Sequence, residues 1–395
     1  MSDLPIVSSP LAEVVRRGRH VVTRFLVPAS VLSTCHVNGG LRKDLRTVVN
    51  HQSCEPVKHH ERFDFIVSLG QAGYQKHVCE ELGLDAASTA VMGTAAAMQY
   101  LGVVTRSWAD LSVTAIVTAG VSGNAGCAGD AASYDESNGS WVRTTSEPSK
   151  APGTHNGTIN TLLLFSSPLS DSALARTAMT MTEAKTSALI ELAIGSRSSW
   201  RLATGTGTDQ YAIAAPQEGS QLRTWTGKHT KAGELAGRAV REATLEALRW
   251  QNGLEPSYTR SLFHALGRFG VTEEKFKPAM ERLLDEKAYQ LLKDNWNPVI
   301  YEPQLAAAGY AFSAVLDRIL CGTLSPSSAG ESIIHQAALM AAGLAGKPEA
   351  FAQFRSDLIP HFPTNIDGSA ESLLPAAAEL AFRAVALGWQ RKWQD

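Results

Sequence analysis

The sequence has little that would place it among nucleic-acid-binding or membrane proteins. Its 395 residues contain 36 Lys and Arg against 38 Asp and Glu, a formal net charge of −2, with no long run of like charge. A neutral surface lacks the basic patch that nucleic-acid binding requires. No apolar run reaches the roughly 18–20 residues of a membrane-spanning helix. We therefore expect neither a nucleic-acid partner nor a membrane partner.

Cysteine is scarce and scattered. The five cysteines are odd in number, widely spaced and without a C-x-x-C pair. Neither a disulfide framework nor a structural zinc site fits this usage. The first 17 residues lack the charged and then apolar pattern of a secretory signal peptide. Together these features predict a cytoplasmic protein.

Several common catalytic and cofactor-binding motifs are also missing. The glycine-rich stretch 118–130 contains neither G-x-G-x-x-G nor the G-K-[ST] ending of a phosphate-binding loop. The residues His59, His60 and Glu61 do not have the H-E-x-x-H spacing of a zinc peptidase, so we predict no metal site. No G-x-S-x-G elbow of a serine hydrolase is present.

What the sequence does contain is typical of a globular protein whose character changes near residue 250. Apolar residues make up 44% of the chain. Runs rich in Val, Leu and Thr predict strands at 20–27, 45–52, 63–69, 113–119, 158–165 and 211–215. Periodic or alanine-rich runs predict helices at 85–100, 170–192 and 231–249, and then at 257–269, 272–295, 303–320, 328–345, 348–358 and 370–393. The predicted domains are an α+β domain, 1–250, and a helical region, 251–395.

Two glycine turns in the first domain could approach a ligand closely. Asn38, Gly39 and Gly40 form a tight turn in which the asparagine could hydrogen-bond a substrate, although an ordinary hairpin turn explains them equally simply. The turn at 118–130 carries three polar side chains at the exit of a predicted strand. They are Ser122, Asn124 and Asp130. A solvated loop is the alternative interpretation.

Two further groups surround the strand 158–165 and the helix 170–192. Asn156, Thr158 and Asn160 lead into an otherwise apolar strand, where a buried asparagine needs a hydrogen-bond partner. Lys185 lies four residues after Met181 on the apolar stripe of the helix. It therefore either extends its ammonium to solvent or meets a buried acid, for which Asp209 is the candidate.

Glu183 and Thr206 complete the set of candidate residues. Glu183 lies two residues from Lys185, about 200° around the helix, so the two cannot pair with each other. It is either a catalytic carboxylate or a solvated helix residue. Thr206 belongs to the Thr-Gly-Thr-Gly-Thr-Asp turn that ends at Asp209.

Eight short motifs, in this order and spacing, resemble the adenosylcobinamide amidohydrolase family over about residues 20–250. Each motif is weak alone, and the ordered set is specific. The motifs are at 31–33 with 38–41, 118–122, 129–130, 157–160, 166–171, 182–186, 203–209 and 230–240.

The resemblance implies an enzyme that hydrolyses the amide joining aminopropanol to the corrin ring of adenosylcobinamide, in corrinoid salvage. The corrinoid would be the substrate, and no further cofactor is expected. The candidate catalytic residues are Glu183 or Asp209 as the base, Lys185 beside the carboxylate, and Asn156 as an oxyanion donor. The candidate substrate-binding residues are Asn38, Gly39, Gly40, Ser122, Asn124, Asp130, Thr158, Asn160 and Thr206, with the hydroxyls of Ser122, Thr158 and Thr206 as reserve nucleophiles.

The order of elements is also similar to that of β-peptidyl aminopeptidases and ornithine acetyltransferases. This similarity implies an α+β fold, a layered helix/sheet/sheet/helix sandwich, here followed by an all-helical C-terminal region. Two alternatives to the expected reaction stay open. They are a corrinoid-binding protein without turnover and an amidohydrolase of another amide on the same fold. Assembly into a homo-oligomer also stays open.

Overall fold

A computed structural model of the chain describes residues 3–54, 59–138, 140–144, 157–363 and 365–393. Clustering of its contacts divides the chain into two units. Unit 1 consists of Met1–Ser198 and Leu202–Leu254, and unit 2 consists of Ser199–Arg201 and Glu255–Asp395. The backbone therefore enters unit 2 briefly at Ser199–Arg201, returns to unit 1, and enters unit 2 again at Glu255.

The strands of unit 1 form a five-stranded sheet, a six-stranded sheet and two short pairs. Their bounds are β1 (Leu4–Ser8), β2 (Ala12–Arg17), β3 (His20–Phe25), β4 (Ala29–Ser33), β5 (Gly40–Arg42), β6 (Thr47–Gln52), β7 (Thr89–Thr94), β8 (Gly102–Trp108), β9 (Leu111–Ala119), β10 (Ala125–Gly126), β11 (Tyr134–Ser137), β12 (Ser140–Arg143), β13 (Ile159–Phe165), β14 (Gly205–Thr206) and β15 (Gln210–Pro216). The five-stranded order is β1-β2-β3-β6-β7, and the six-stranded order is β5-β4-β15-β13-β9-β8.

Three helices accompany these sheets: α1 (His59–Leu82), α2 (Asp171–Glu191) and α3 (Lys231–Asn252). Helix α2 begins as predicted, because the Ser170 side chain accepts a hydrogen bond from the backbone N–H of Ala173. Helix α1 is bent at Gly70, whose φ of 65° lies in the left-handed region that glycine tolerates.

Unit 1 has four layers, which confirms the predicted helix/sheet/sheet/helix arrangement. Apolar residues of both sheets meet in a shared core, among them Val48 and Met92 of the five-stranded sheet and Ile116 and Leu162 of the six-stranded sheet. The outer face of the five-stranded sheet packs against α1. The outer face of the six-stranded sheet packs against α2 and α3.

Strand direction brings the ends of four strands to one edge of the six-stranded sheet. β13 and β15 are parallel, with Asn160 opposite Gln210, so both strands begin at this edge. Their outer neighbours β9 and β4 are antiparallel to them and therefore end there. The loops at 34–39, 120–124, 157–158 and 204–209 consequently lie at the same edge.

Two sequence predictions in unit 1 were wrong. The apolar run 63–69 is part of helix α1, because short apolar runs do not distinguish a strand from a helix. The alanine-rich stretch 85–100 contains strand β7 between two short 3₁₀ turns. Most alanines of this stretch flank β7, whereas the strand itself contains the β-branched residues Thr89, Val91 and Thr94 and pairs with β6.

Unit 2 is helical and has one extended apolar core. Its helices are α4 (Pro256–Thr259), α5 (Leu262–Leu266), α6 (Glu273–Leu283), α7 (Glu286–Asp294), α8 (Trp296–Ile300), α9 (Pro303–Leu320), α10 (Pro326–Ala345), α11 (Phe351–Leu358) and α12 (Ala370–Lys392). The single helix predicted at 272–295 is thus two helices, and Asp285 begins the second by accepting a hydrogen bond from Ala288 N–H.

A buried ion pair lies inside unit 2. Arg268 donates to both carboxylate oxygens of Asp317, at 2.7 and 2.6 Å. The same guanidinium donates to the carbonyl oxygen of Trp200 at 2.7 Å and to Ser313 Oγ at 3.0 Å. Trp200 belongs to the short excursion Ser199–Arg201, and its side chain packs against the unit 2 core.

Across the described residues, no helix combines the length and the apolar character that crossing a membrane would require.

Candidate active site

An ion pair between Lys185 and Asp209 lies at the shared edge of the six-stranded sheet. Lys185 is on α2, and its ammonium contacts Asp209 Oδ2. The side chains of Lys185 and Asp209 are 13% and 18% exposed, so the pair is largely shielded while still reaching solvent. The predicted contact between the helix lysine and the acid of the glycine turn is therefore confirmed.

The Asp209 carboxylate is held in a fixed orientation by three further donors. Its Oδ1 accepts from the backbone N–H of Ile159 at 3.0 Å and from Thr206 Oγ1 at 2.5 Å. Its Oδ2 accepts from the backbone N–H of Thr206 at 3.1 Å, in addition to Lys185. The result is a preorganised anion beside a hydroxyl and an ammonium.

The glycine at position 205 makes room for this pair. A Cβ atom there would lie 2.5 Å from Asp209 Oδ2 and 2.7 Å from Lys185 Nζ. Gly205 pairs with Gly126 across the β10–β14 ladder, which links the two glycine-rich turns. Gly205 therefore leaves room for the contact between Lys185 and Asp209.

A second polar group adjoins the ion pair. Thr158 Oγ1 and Thr208 Oγ1 are 2.6 Å apart. Asn124 Nδ2 donates to Thr208 Oγ1 at 3.1 Å and to the carbonyl oxygen of Gly157 at 3.2 Å. The structure thus brings Asn124, Thr158, Thr206 and Asp209 to one edge.

Comparison with known proteins identifies the family. The model of the family described as adenosylcobinamide amidohydrolase matches residues 7–256. This chain belongs to that family. The matched region contains the Lys185–Asp209 pair and the four layers of unit 1.

Two individual proteins are similar to this family member. The uncharacterized protein MJ1613 of Methanocaldococcus jannaschii is 35% identical over 184 residues, which cover 46% of this chain and 71% of that protein. The crystal structure of the PH0078 protein from Pyrococcus horikoshii OT3 is 12% identical and has a TM-score of 0.30. That alignment covers 63% of this chain and 83% of the other.

Asn160 has a structural environment that explains the polar residue in an apolar strand. Its side chain is fully buried between the sheets, where Nδ2 donates to Asn50 Oδ1 at 2.8 Å and to the carbonyl oxygen of Gly93 at 3.1 Å. Asn50 in turn donates to Thr118 Oγ1 at 2.8 Å. Asn160 therefore joins the two sheets behind the edge, and its role in substrate binding stays a prediction.

The Asn38 turn is held by contacts within the protein. Asn38 adopts φ of 58° and donates from Nδ2 to the carbonyl oxygens of Ala86 and Thr89, both at 2.8 Å. A Cβ atom at Gly39 would lie 1.9 Å from the carbonyl oxygen of Cys35, and Gly40 has φ of 74°. These contacts account for the Asn-Gly-Gly sequence as a tight turn. Substrate binding by Asn38, Gly39 and Gly40 stays a prediction.

Ser122 and Asp130 stabilise the loop that carries them. Ser122 Oγ accepts from Asn252 Nδ2 at 2.6 Å. Asp130 Oδ2 accepts from the backbone N–H of Cys127 at 2.8 Å and from Ser196 Oγ at 2.6 Å. The substrate-binding role of both residues stays a prediction.

Glu183 makes a separate ion pair on α2. Its Oε2 lies 2.7 Å from Lys228 Nζ, and its side chain is 52% exposed. The alternative of a solvated helix residue accounts for this contact. Asn156 lies outside the described residues.

Sequence analysis missed two contributors to the site. The sequence showed Thr208 as one residue of a glycine-rich turn and did not predict that it contacts both Asn124 and Thr158. Gln210 accepts from the backbone N–H of Gly93 at 3.0 Å and so connects the edge to the five-stranded sheet. A polar residue at the first position of an otherwise apolar strand was the available signal. Within the described residues no group of three His, Cys, Asp or Glu side chains is arranged to hold a metal ion.

Proposed function

We propose that this protein hydrolyses the amide that joins aminopropanol to the corrin ring of adenosylcobinamide. The products would be adenosylcobyric acid and 1-amino-2-propanol. The family match over residues 7–256 is the observation that carries this proposal. The corrinoid is the substrate in this scheme, no further cofactor takes part, and the reaction takes place in the cytoplasm.

In the proposed mechanism Asp209 is the general base. Its carboxylate accepts a proton from water while the water oxygen attacks the amide carbon. The same proton then passes to the nitrogen of the leaving aminopropanol as the C–N bond breaks. The backbone and hydroxyl donors at 2.5–3.1 Å support this role because they fix the carboxylate before substrate arrives.

Lys185 is the proposed electrostatic partner of the reaction. An ammonium has three N–H donors, and among the described residues the hydrogen bond of Lys185 is the one to Asp209. The remaining donors can stabilise the negative charge that develops on the amide oxygen. Most backbone N–H groups of the neighbouring turns are engaged, for example those of Gly207 with the Asn124 carbonyl and Val121 with Asn252.

Thr206 offers a covalent variant of the same chemistry. Its hydroxyl already donates to Asp209 Oδ1, so the same base could activate it as a nucleophile. Thr206→Val and Thr206→Ser separate the two routes. A covalent route predicts loss of turnover in the valine variant and retention in the serine variant, whereas attack by water predicts turnover in both.

The decisive experiment compares two lysine–acid pairs, each with one member on α2. The full chain is incubated with adenosylcobinamide, and the new acid is detected by chromatography. Asp209→Asn and Lys185→Met should each lower kcat/KM by about 10³-fold. Glu183→Gln and Lys228→Met are the matched controls, and they should stay within about twofold because exposed ion pairs contribute little.

Four outcomes would contradict parts of the proposal. No acid product from the unaltered protein, together with retained corrinoid binding, would favour a binding protein without turnover. Cleavage of other amides in a substrate panel, without cleavage of adenosylcobinamide, would move the activity to another substrate. Near-normal turnover in a folded Asp209→Asn variant would remove Asp209 as the base, and loss in Glu183→Gln would assign that role to Glu183.

A further inference from the structure

A second polar cluster lies between helix α1 and the five-stranded sheet, on the face of that sheet that points away from the core shared with the six-stranded sheet. Adjacent strands β3 and β6 place His20 directly opposite His51, and the two rings stack with centroids 4.4 Å apart. Tyr74 of α1 lies next to them, with its ring centroid 5.8 Å from that of His51. We call His20, His51, Tyr74, His77 and Arg62 the α1 cluster.

The most buried residues of the α1 cluster, His51 and Tyr74, have polar atoms without partners among the described residues. His51 is 1% exposed and Tyr74 is 7% exposed. Within the described residues, both ring nitrogens of His51 and the hydroxyl of Tyr74 lack a hydrogen-bond partner. Buried polar groups are normally paired, and an unpaired one costs free energy. Two neighbouring side chains thus hold three buried polar atoms that have no partner among the described residues.

Two permanently charged cations, the guanidiniums of Arg19 and Arg62, act on His51. The groups that act electrostatically on His51 are His20, Arg19, Arg62 and His77, each of which is positive when charged. Burial, followed by these positive neighbours, holds the pKa of His51 at about 2, so the ring is neutral. One carboxylate also lies next to the α1 cluster: Glu81 Oε2 is 3.6 Å from His20 Nε2.

The α1 cluster extends from its most buried residues toward the surface. His77 and Arg62 are half-buried, and Phe65 beside them is 36% exposed. The ring centroid of His77 is 6.4 Å from that of Tyr74 and 5.3 Å from that of Phe65. Arg62 lies over the Phe65 ring and donates to the carbonyl oxygen of Ser53 at 3.3 Å. Arg62 and Phe65 lie in the part of α1 that precedes the bend at Gly70.

We infer that the α1 cluster is a binding site for a small oxyanion, a phosphate group or a carboxylate. Such an anion accepts from the Tyr74 hydroxyl and a His51 N–H, and the guanidinium of Arg62 supplies a bidentate donor for its charge. This site is separate from the Lys185–Asp209 pair, because His51 points to the α1 side of the sheet and its neighbour Asn50 points to the side shared with Asn160.

The test uses the full chain with inorganic phosphate and with acetate, each against chloride at matched ionic strength. Calorimetric titration should give saturable binding of at least one of the two oxyanions. Repeating the titration in buffers of different ionisation enthalpy should show proton uptake, because an anion favours the protonated His51 ring. Phosphate binding and acetate binding distinguish the two sources of the oxyanion.

Two variants with matched controls locate the binding. Tyr74→Phe removes only the unpartnered hydroxyl, and Arg62→Met removes the guanidinium. Each should weaken anion binding at least tenfold while the thermal midpoint of the anion-free protein falls little in Tyr74→Phe. Tyr100→Phe and Arg24→Met change exposed residues of the same unit and should bind as the unaltered protein does.

Two results would overturn the inference. One is the lack of saturable binding of either anion up to about 10 mM, which would leave ordered water as the partner of these atoms. The other is anion binding that is equal in Tyr74→Phe, Arg62→Met and the controls. Both are independent of amide hydrolysis, so they leave the proposed function unaffected.

Discussion

Each unit contains a shielded ion pair built on an aspartate, and the two differ in how completely the cation is bound. In unit 2, Arg268 donates to Asp317, Ser313 and the carbonyl of Trp200, and it lies over the Phe269 ring at 4.0 Å. In unit 1, Lys185 donates to Asp209. A guanidinium whose donors are used holds structure, whereas an ammonium with donors to spare can also bind a ligand. The comparison therefore separates a structural pair from a site.

The largest expected effect concerns the saturated pair. Arg268→Met leaves the Asp317 carboxylate without its partner, so the free energy of unfolding should fall by about 3 kcal/mol. Amide hydrolysis per folded molecule should change less than about twofold, because unit 1 contains the proposed base. Urea unfolding and steady-state kinetics measure the two quantities.

Arg282→Met is the control for this change. Arg282 pairs with Glu379 at the surface, where 53% and 34% of the two side chains are exposed. Its loss should cost no more than about 1 kcal/mol. A loss of turnover above tenfold in folded Arg268→Met would break the distinction between a structural pair and a site.

The effect of intermediate size is the pH dependence of stability that His51 contributes. This contribution must be measured before acid titration is used to study either ion pair. Burial holds its folded-state pKa at about 2, below the ordinary value of 6.5. Below pH 6.5 the unfolded chain therefore takes up a proton that the folded chain does not, and stability falls as the pH falls. Between pH 7 and pH 5 the free energy of unfolding should drop by about 2 kcal/mol from this group alone.

His51→Gln should remove this share of the acid dependence, and the exposed His335→Gln should keep it. Urea unfolding at both pH values, in buffers free of phosphate and acetate, provides the measurement. An unchanged acid dependence in His51→Gln would show that the buried imidazole does not stay neutral in the folded protein.

The smallest expected effect sharpens the comparison at the open pair. Gly205→Ala places a methyl group 2.5 Å from Asp209 Oδ2 and 2.7 Å from Lys185 Nζ, so the pair must shift. We expect kcat/KM to fall about tenfold, which corresponds to about 1.4 kcal/mol. Gly126→Ala is the matched control, because Gly126 is the ladder partner of Gly205 and its Cβ position has no atom within 4 Å.

Kinetics and circular dichroism of the two glycine variants decide the matter. Equal activity of both alanine variants would mean that the Lys185–Asp209 geometry does not limit the reaction.

Much of the fold was predictable because pattern and burial agree in most elements. The continuous apolar run of β13 is buried on both faces, and the apolar stripe of α2 faces the sheet. The error at 85–100 has a local cause. Residues 89–94 favour a strand by themselves, but the alanines on either side of them made the whole stretch look helical.

The site was predictable only in part. The position of Lys185 beside the apolar stripe left two outcomes open, an ammonium directed to solvent or a contact with Asp209, and the structure has the second. Glu183 also carries a carboxylate, so residue type alone did not distinguish Glu183 from Asp209. The partner of Glu183, Lys228, comes from a distant turn that sequence spacing does not reveal. The α1 cluster was missed because Asn50 and His51 look like ordinary strand residues. Two adjacent polar residues in a wholly buried strand were the available signal.

The excursion at Ser199–Arg201 determines how the two units can be separated in the laboratory. A fragment that ends at residue 254 would keep Trp200. It would lose Arg268, which donates to the Trp200 carbonyl oxygen, and the apolar side chains of unit 2 that pack against the Trp200 indole. The Trp200 indole would then be exposed to solvent, and this exposed apolar surface would make the fragment prone to aggregate even if unit 1 folds correctly. A shortened version suitable for crystallisation or assay therefore needs a second, internal edit that replaces these three residues with a polar connector.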